Sequence, residues 1–300
     1  MTDEVLAEIE ALSPLAPLHN PVNAAGIREM RRLLPGAPQI AVFDTAFHHT
    51  LREHAYLYGL PWEYYEELRV RRYGFLGTAH AWVSRRAAEF LGRRPEELRI
   101  VSCHLGNGAS LCAVDRGRSV DTTMGFTPAE GLIMGTRCGD VDAGVLAFLE
   151  RERGLTAGRS EEILNRRSGL LGLSGISSDM REVLKAADAG VPRAVAAVTA
   201  SCYRVRKAIG ACVAVLGGLD ALVFTAGVGQ GSDRIRAMAL EGSGILGIRL
   251  DGQRNHSARG FDEICRISAD DPPVAVLVVP IDEERLMAGE ALGAVGRPPD

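Results

Sequence analysis

Apolar residues recur at helical spacing in eight stretches of the 300-residue chain, roughly 2–12, 23–34, 79–91, 140–152, 178–188, 193–217, 233–240 and 282–294. Six further stretches predict strands, because β-branched and apolar residues cluster there between turn-forming ones. They are "QIAVFDTAF" (39–47), "LRIVSCHLG" (98–106), "ASLCAVDRG" (109–117), "RSVDTT" (118–123), "ALVFTAGVG" (221–229) and "VAVLVVPID" (274–282). Three of these follow one another over 98–123, separated by "GNG" and "DRGR", which predicts an antiparallel meander. The later strands alternate with helices. A meander followed by β/α units predicts an α/β protein with a mixed sheet flanked by helices.

Composition narrows the function classes. A hydrophobic content of 46% is enough for a substantial core. A net charge of −4 gives no basis for nucleic acid or an anionic membrane surface as partner. The longest aliphatic run, "VAVLVV" at 274–279, is too short to cross a bilayer. The opening "MTDEVLAEIEALSP" is acidic and amphipathic, unlike a secretory signal. None of the six cysteines forms a CxxC pair or stands at metal-ligand spacing with a histidine, so they read as small core residues of a cytoplasmic protein.

The 34 glycines draw attention to three loops. "HLGNGAS" (104–110) lies at a strand-to-strand turn, and it is either a plain Asn-Gly hairpin or a nest of backbone N–H groups for an anion. "TAGVGQGS" (225–232) links an apolar strand to a helix, and it is either a structural glycine turn or an arrangement that suits a nucleotide phosphate, matching neither GxGxxG nor a P-loop. "DTTMGFTPAEGLIMGTRCGDVD" (121–142) is the densest in polar residues. Its Arg137 sits among small neighbours, where a planar guanidinium can grip a phosphate or carboxylate with two bonds, or form a surface ion pair.

A fourth stretch, "RRYGFLGTAH" (71–80), poses a question. Two arginines and two glycines suggest a loop that touches a ligand. Its centre is Leu76, whose side chain can neither donate nor accept a hydrogen bond.

Together these segments resemble the acetate kinase (acetokinase) family, which includes propionate kinases. The resemblance is carried by "LAPLHNPVNAAGI" (15–27), "FDTAFH" (43–48), "RRYGFLGTAH", "HLGNGAS", the 121–142 segment, "SGLLGLSGISSDMRE" (168–182), "FTAGVG" (224–229) and "PIDEE" (280–284). It implies an actin-like, sugar-kinase-like (ribonuclease H-like) two-domain fold with ATP or ADP in the cleft. Residues 1–46 would be the remnant of a first domain, completed by a helix at 284–300, and 47–283 the nucleotide-binding domain.

By position, the resemblance makes Asp44 and Arg137 the active-site acid and arginine. His104, Leu105, Gly106, Asn107 and Gly108 match a phosphate loop. Asp179, Met180 and Arg181 match a nucleotide segment, and Gly227, Val228, Gly229, Gln230 and Gly231 the adenosine side. Leu18, Phe75 and Pro128 match the pocket for the acetate methyl group, His19 and His80 match histidines near the site, and Glu283 matches a Mg²⁺ ligand. The implied reaction is ATP + acetate to ADP + acetyl phosphate, in a homodimer.

The departures are as informative. The family has histidine where Leu76 stands, and that ring stabilises the transition state. Gln230-Gly231 replaces Glu-Asn, and Ile281 replaces Thr. The family's opening NxGSSSxK loop and its later "RVVHGG" have no match, so this reads as an N-terminally truncated member. A second expectation therefore stands beside the first: a non-catalytic nucleotide-binding remnant that pairs with an intact kinase subunit.

Overall fold

In a computed structural model of the chain, residues 1–13, 20–258, 262–270 and 273–295 are described. Six strands form one sheet: β1 (Arg99–Leu105), β2 (Ala109–Asp115), β3 (Arg118–Thr122), β4 (Ala221–Thr225), β5 (Cys265–Arg266) and β6 (Ala275–Val278). Their order across the sheet is β3-β2-β1-β4-β6-β5. β1, β2 and β3 are the antiparallel meander that the sequence predicts, whereas β4 runs parallel to β1 and β6 parallel to β4. Leu105 pairs with Ala109, which leaves Gly106–Gly108 as the three-residue turn between β1 and β2.

Helices precede and flank the sheet. Before it come α1 (Asp3–Ala11), α2 (Asn20–Leu33), the short α3 (Glu53–Tyr56) and α4 (Trp62–Leu68), and α5 (Gly77–Leu91). Between β3 and β4 lie α6 (Ala143–Arg153), α7 (Ala157–Arg166), α8 (Gly169–Ser174), α9 (Met180–Asp188) and α10 (Pro192–Leu216). After β4 come α11 (Ala226–Gly231), α12 (Asp233–Leu240), α13 (Gly252–Ser257) and α14 (Glu283–Val295).

The sheet is buried on both faces, and alternation along β1 sorts its residues. Val101, Cys103 and Leu105 enter the larger core with Val198, Val205 and Ile209 of α10. Ile100 enters a smaller core with Val83 and Ala87 of α5. Side chains two apart share a face, so Ser102 and His104 also face α5. The large core accounts for the long α10, whose buried Ala194, Ala197, Val198, Cys202, Val205 and Ile209 follow helical spacing.

The expected strand at 39–47 is not one. Residues 39–43 are irregular, and Ala46–Thr50 form a 3₁₀ turn. A strand needs a neighbour to take its backbone hydrogen bonds, and no described strand lies beside this segment. It is held instead by bonds from distant segments: the amino group of Met1 donates to the Gln39 carbonyl at 2.7 Å, and the Gly77 N–H donates to the Asp44 carbonyl at 3.0 Å. The glycine loop at 225–232 differs as well, since its residues 226–231 wind into α11. The short helices α3, α4, α8 and α13 show no strong periodicity in the sequence, because a helix of one or two turns is too brief to show one, and the 10-residue α7 is an unpredicted helix.

Arg236 of α12 explains how α11 is held. The side chain is fully buried. Its guanidinium donates to the carbonyls of Gly229 and Gln230 at 2.9 and 2.7 Å, and to Asn255 Oδ1 and the Asn255 and Ala258 carbonyls at 2.7, 2.7 and 3.2 Å. Arg236→Met would leave several buried acceptors without donors, each at about 1–3 kcal/mol. We expect a loss of about 3 kcal/mol or more, read as a lower urea midpoint.

Candidate active site

The turn between β1 and β2 is the centre of the site. It is closed by the Gly106 N–H, which donates to the Gly108 carbonyl at 3.0 Å. The Gly135 N–H donates to the Asn107 carbonyl at 3.0 Å, which brings the 121–142 segment across the turn. A Cβ on Gly135 would lie 2.0 Å from Asn107 Oδ1 and 3.1 Å from the Ser178 carbonyl, so only glycine lets these three segments meet. On the other side, α11 packs on the turn. Cβ atoms placed on Gly106 and Gly229 would be in ordinary contact with the Ala226 and Leu105 side chains, each at 3.6 Å. Ala226 itself takes a left-handed φ of 65°, which turns the chain from β4 into α11.

Arg137 lies beside this turn. A Cβ on Gly108 would stand 3.5 Å from its Nη1. The guanidinium makes two weak contacts, to the Pro128 carbonyl at 3.4 Å and Met134 Sδ at 3.7 Å. It forms no salt bridge within the described residues, and burial alone pushes its pKa down. A half-buried guanidinium without an anion is a costly arrangement that an incoming carboxylate or phosphate relieves.

Asp44 is held from the opposite side. Its carboxylate accepts from the Leu76 N–H at 2.7 Å and the Thr78 hydroxyl at 3.0 Å, and its carbonyl accepts from the Gly77 N–H at 3.0 Å. A Cβ on Gly77 would sit 2.3 Å from that carbonyl oxygen, which is why glycine follows Leu76. Leu76 caps α5 with φ 59°, a left-handed conformation that leucine seldom adopts. Glu283, the first residue of α14, feels Asp44: burial chiefly, and the Asp44 charge after it, raise its carboxyl pKa. Two carboxylates that repel one another in this way suit a divalent cation.

Three buried histidines stand in a row, with His104 of the turn at one end. The His48 and His80 ring centroids are 5.9 Å apart, and those of His80 and His104 are 6.3 Å apart. His80 Nδ1 pairs with Ser102 Oγ at 2.9 Å, while His80 Nε2 and His104 Nδ1 have no partner among the described residues. Burial lowers all three pKa values, His80 well below the ordinary range and His104 to about 4. The unfolded chain therefore binds protons on these rings at higher pH than the folded one does. Stability is then complete above about pH 6.5 and falls as the pH drops toward 4. For His104 alone, the displacement from 6.5 to about 4 is worth about 3 kcal/mol. Urea midpoints measured across pH 7 to 4.5 should fall steadily, and His104→Gln should flatten that slope.

A family model described as the acetokinase family matches residues 1–289. The chain belongs to that family. It is 51% identical over 296 residues to an acetate kinase from Dictyoglomus turgidum, covering 99% of this chain and 72% of that protein. It is 52% identical over 292 residues to a propionate kinase from Citrobacter rodentium, covering 97% of this chain and 71% of that protein. Among solved structures, an acetate kinase from Porphyromonas gingivalis superimposes with a TM-score of 0.94 at 46% identity, over 98% of this chain and 73% of the other. A propionate kinase from Francisella tularensis gives 0.91 at 37% identity. The fold is thus the actin-like α/β fold of these kinases, and the family is one of ATP-dependent carboxylate kinases.

Within this acetokinase-family fold the expected site residues fall into three groups. Asp44, Glu283, His104 and the 104–108 turn lie together, with Phe75 in the loop that carries Leu76. Arg137 and Pro128 approach the turn from the 121–142 segment, and α11 with Gly227–Gly231 borders it. Asp179 and Arg181 are occupied locally: the Asp179 carboxylate caps α9 by accepting from the Arg181 N–H at 2.8 Å, and it pairs with the exposed Arg181 side chain at 2.5 Å. Met180 is buried in the large core. Gln230 is likewise buried. Leu18 and His19 lie outside the described residues.

The two arginines of "RRYGF" are engaged within the chain. Arg72 donates to the carbonyls of Thr122, Thr123 and Met124 at 3.0, 3.2 and 3.0 Å and pairs with Glu130 at 2.5 Å. Arg71 lies over the Tyr56 ring, 3.6 Å from its centroid. Their task is to fasten the loop.

Proposed function

We propose that the chain transfers the γ-phosphoryl group of ATP to a short carboxylate, acetate or propionate, and does so slowly. The observation that carries this reading is Arg137, half-buried, without an acidic partner among the described residues, and next to a glycine turn. A short carboxylate is already ionised at pH 7, so no base is required. The protein's work is to hold the nucleophile in line and to neutralise charge on the transferring group. Arg137 suits the second task. Phe75 and Pro128 are apolar and suit the methyl end of the acid, a role for which the family resemblance also names Leu18.

Asp44 and Glu283 would hold Mg²⁺, and their mutual repulsion is what such an ion relieves. Bound there, the ion would supply positive charge to the phosphate oxygens. Asp44 has spare capacity for this, since each carboxylate oxygen carries two lone pairs and accepts one bond in the structure. The 104–108 turn, α11 and residues 179–181 would receive the nucleotide. Gln230 and Gly231, where the family has Glu-Asn, alter the adenosine side. Residues 47–283 form the nucleotide-binding domain in this reading, and the protein works in the cytoplasm as a homodimer.

Leu76 favours a second reading, a nucleotide-binding chain without turnover. ³¹P NMR of ATP, Mg²⁺ and acetate or propionate with the protein separates the two. Acyl phosphate and ADP resonances growing together support transfer. Nucleotide binding without acyl phosphate supports the second reading.

A further inference from the structure

His48 lies outside every role assigned above, yet both its ring nitrogens are engaged and its side chain is 1% exposed. Nε2 is 3.1 Å from the Phe75 carbonyl, and Nδ1 is 2.8 Å from Ser119 Oγ. A carbonyl only accepts, so Nε2 carries the proton. The ring is buried and neutral, so Nδ1 accepts from the Ser119 hydroxyl. The Cys112 thiol packs behind this pair, 3.3 Å from Ser119 Oγ and 3.7 Å from the Ala113 carbonyl.

The Phe75 carbonyl and the Leu76 N–H belong to one peptide unit. His48 donates to one end of it, and the other end donates to Asp44 at 2.7 Å. A single relay thus runs from Ser119 of β3 through His48, across the 75–76 peptide, to the Asp44 carboxylate. The His48 ring also fills the space against Gly74, where a Cβ would lie 2.7 Å from its Cδ2. This peptide leads into the left-handed Leu76, a conformation that persists only where its surroundings over-determine it.

We infer that His48 is a positioning residue for the transfer reaction, which fixes and polarises the 75–76 peptide so that the Leu76 N–H holds the Asp44 carboxylate in place. Hydrogen bonds in series strengthen one another, so donation to the carbonyl makes the N–H a better donor. The inference rests on the reading of Asp44 as an active-site carboxylate, but its structural half can be measured without turnover.

The test compares His48→Phe, His48→Asn and His48→Gln in the full chain. Gln reaches as far as Nε2 and can still donate to Phe75, Asn mimics only the Nδ1 side, and Phe keeps the volume alone. The readouts are the Leu76 amide proton in ¹H–¹⁵N spectra and steady-state kinetics. We expect the amide resonance to move upfield in the Phe and Asn variants and to return toward wild type with Gln. The value of kcat should fall about fivefold to tenfold in the first two with KM for ATP little changed, and Gln should recover it. A Leu76 amide that stays put in His48→Phe, or a Gln variant no better than Phe, would overturn the inference. Absence of acyl phosphate from the wild-type chain would overturn the functional reading alone, and the amide would still decide this one.

Discussion

Arg137→Ala should lower kcat/KM for the carboxylate by about 10³, the order expected when a preorganised cation or donor is removed from a developing charge. The effect should leave stability intact, which distinguishes it from damage to the fold. Among the described residues, Arg137 makes two weak contacts, to the Pro128 carbonyl and Met134 Sδ. Removing it leaves no strong partner without a donor, and it relieves the desolvation that burial imposes on the guanidinium. The thermal midpoint should therefore hold or rise. Arg137→Lys should recover little, because an ammonium is a point charge without the planar fork that grips a carboxylate or phosphate twice. Steady-state kinetics and a thermal melt on the same samples check both halves.

The second large effect is a gain. Leu76→His should raise kcat by about tenfold to a hundredfold, since one well-placed donor to transition-state charge is worth about 10²–10³ and a ring set into an unadjusted pocket recovers part of that. The backbone is already prepared for it. Leu76 holds φ 59°, a region in which histidine is enriched over aliphatic residues. Its N–H on Asp44 belongs to the main chain and survives the change. The apolar packing of Leu76 against the large core is lost in part, which offsets the easier backbone. Net stability should stay within about 1 kcal/mol, seen as a nearly unchanged urea midpoint.

Much of the fold was legible because period and position agreed. The meander declared itself through β-branched runs separated by Asn-Gly and Arg-Gly turns, and α10 through its apolar spacing. Segment 39–47 misled for a physical reason: its apolar pattern is that of a strand, but pattern cannot supply the neighbour a strand must bond. Of the candidate site, the sequence singles out Arg137 and the 104–108 turn, and the structure sets them side by side. The site was hidden where residues far apart in sequence converge. His48 reads as one more histidine until Phe75 and Ser119 are seen on its two nitrogens, 27 and 71 residues away. Arg236 reads as a surface charge on an amphipathic helix, yet its guanidinium is what fastens α11. The grip of Arg72 on the 122–124 carbonyls was likewise hidden, since nothing in the sequence tells which acceptors a guanidinium will meet.

In the proposed reading, Asp44, Arg137, Glu283 and the 104–108 turn serve phosphoryl transfer, and the donor missing from the loop beside Asp44 is the one at position 76. The most direct measurement is the rate of acyl phosphate formation at saturating ATP, Mg²⁺ and acetate, trapped as hydroxamate, for the wild-type chain and Leu76→His side by side. The prediction is a slow wild-type rate that rises about tenfold to a hundredfold in the variant with little change in KM. Equal rates in the two proteins would contradict it.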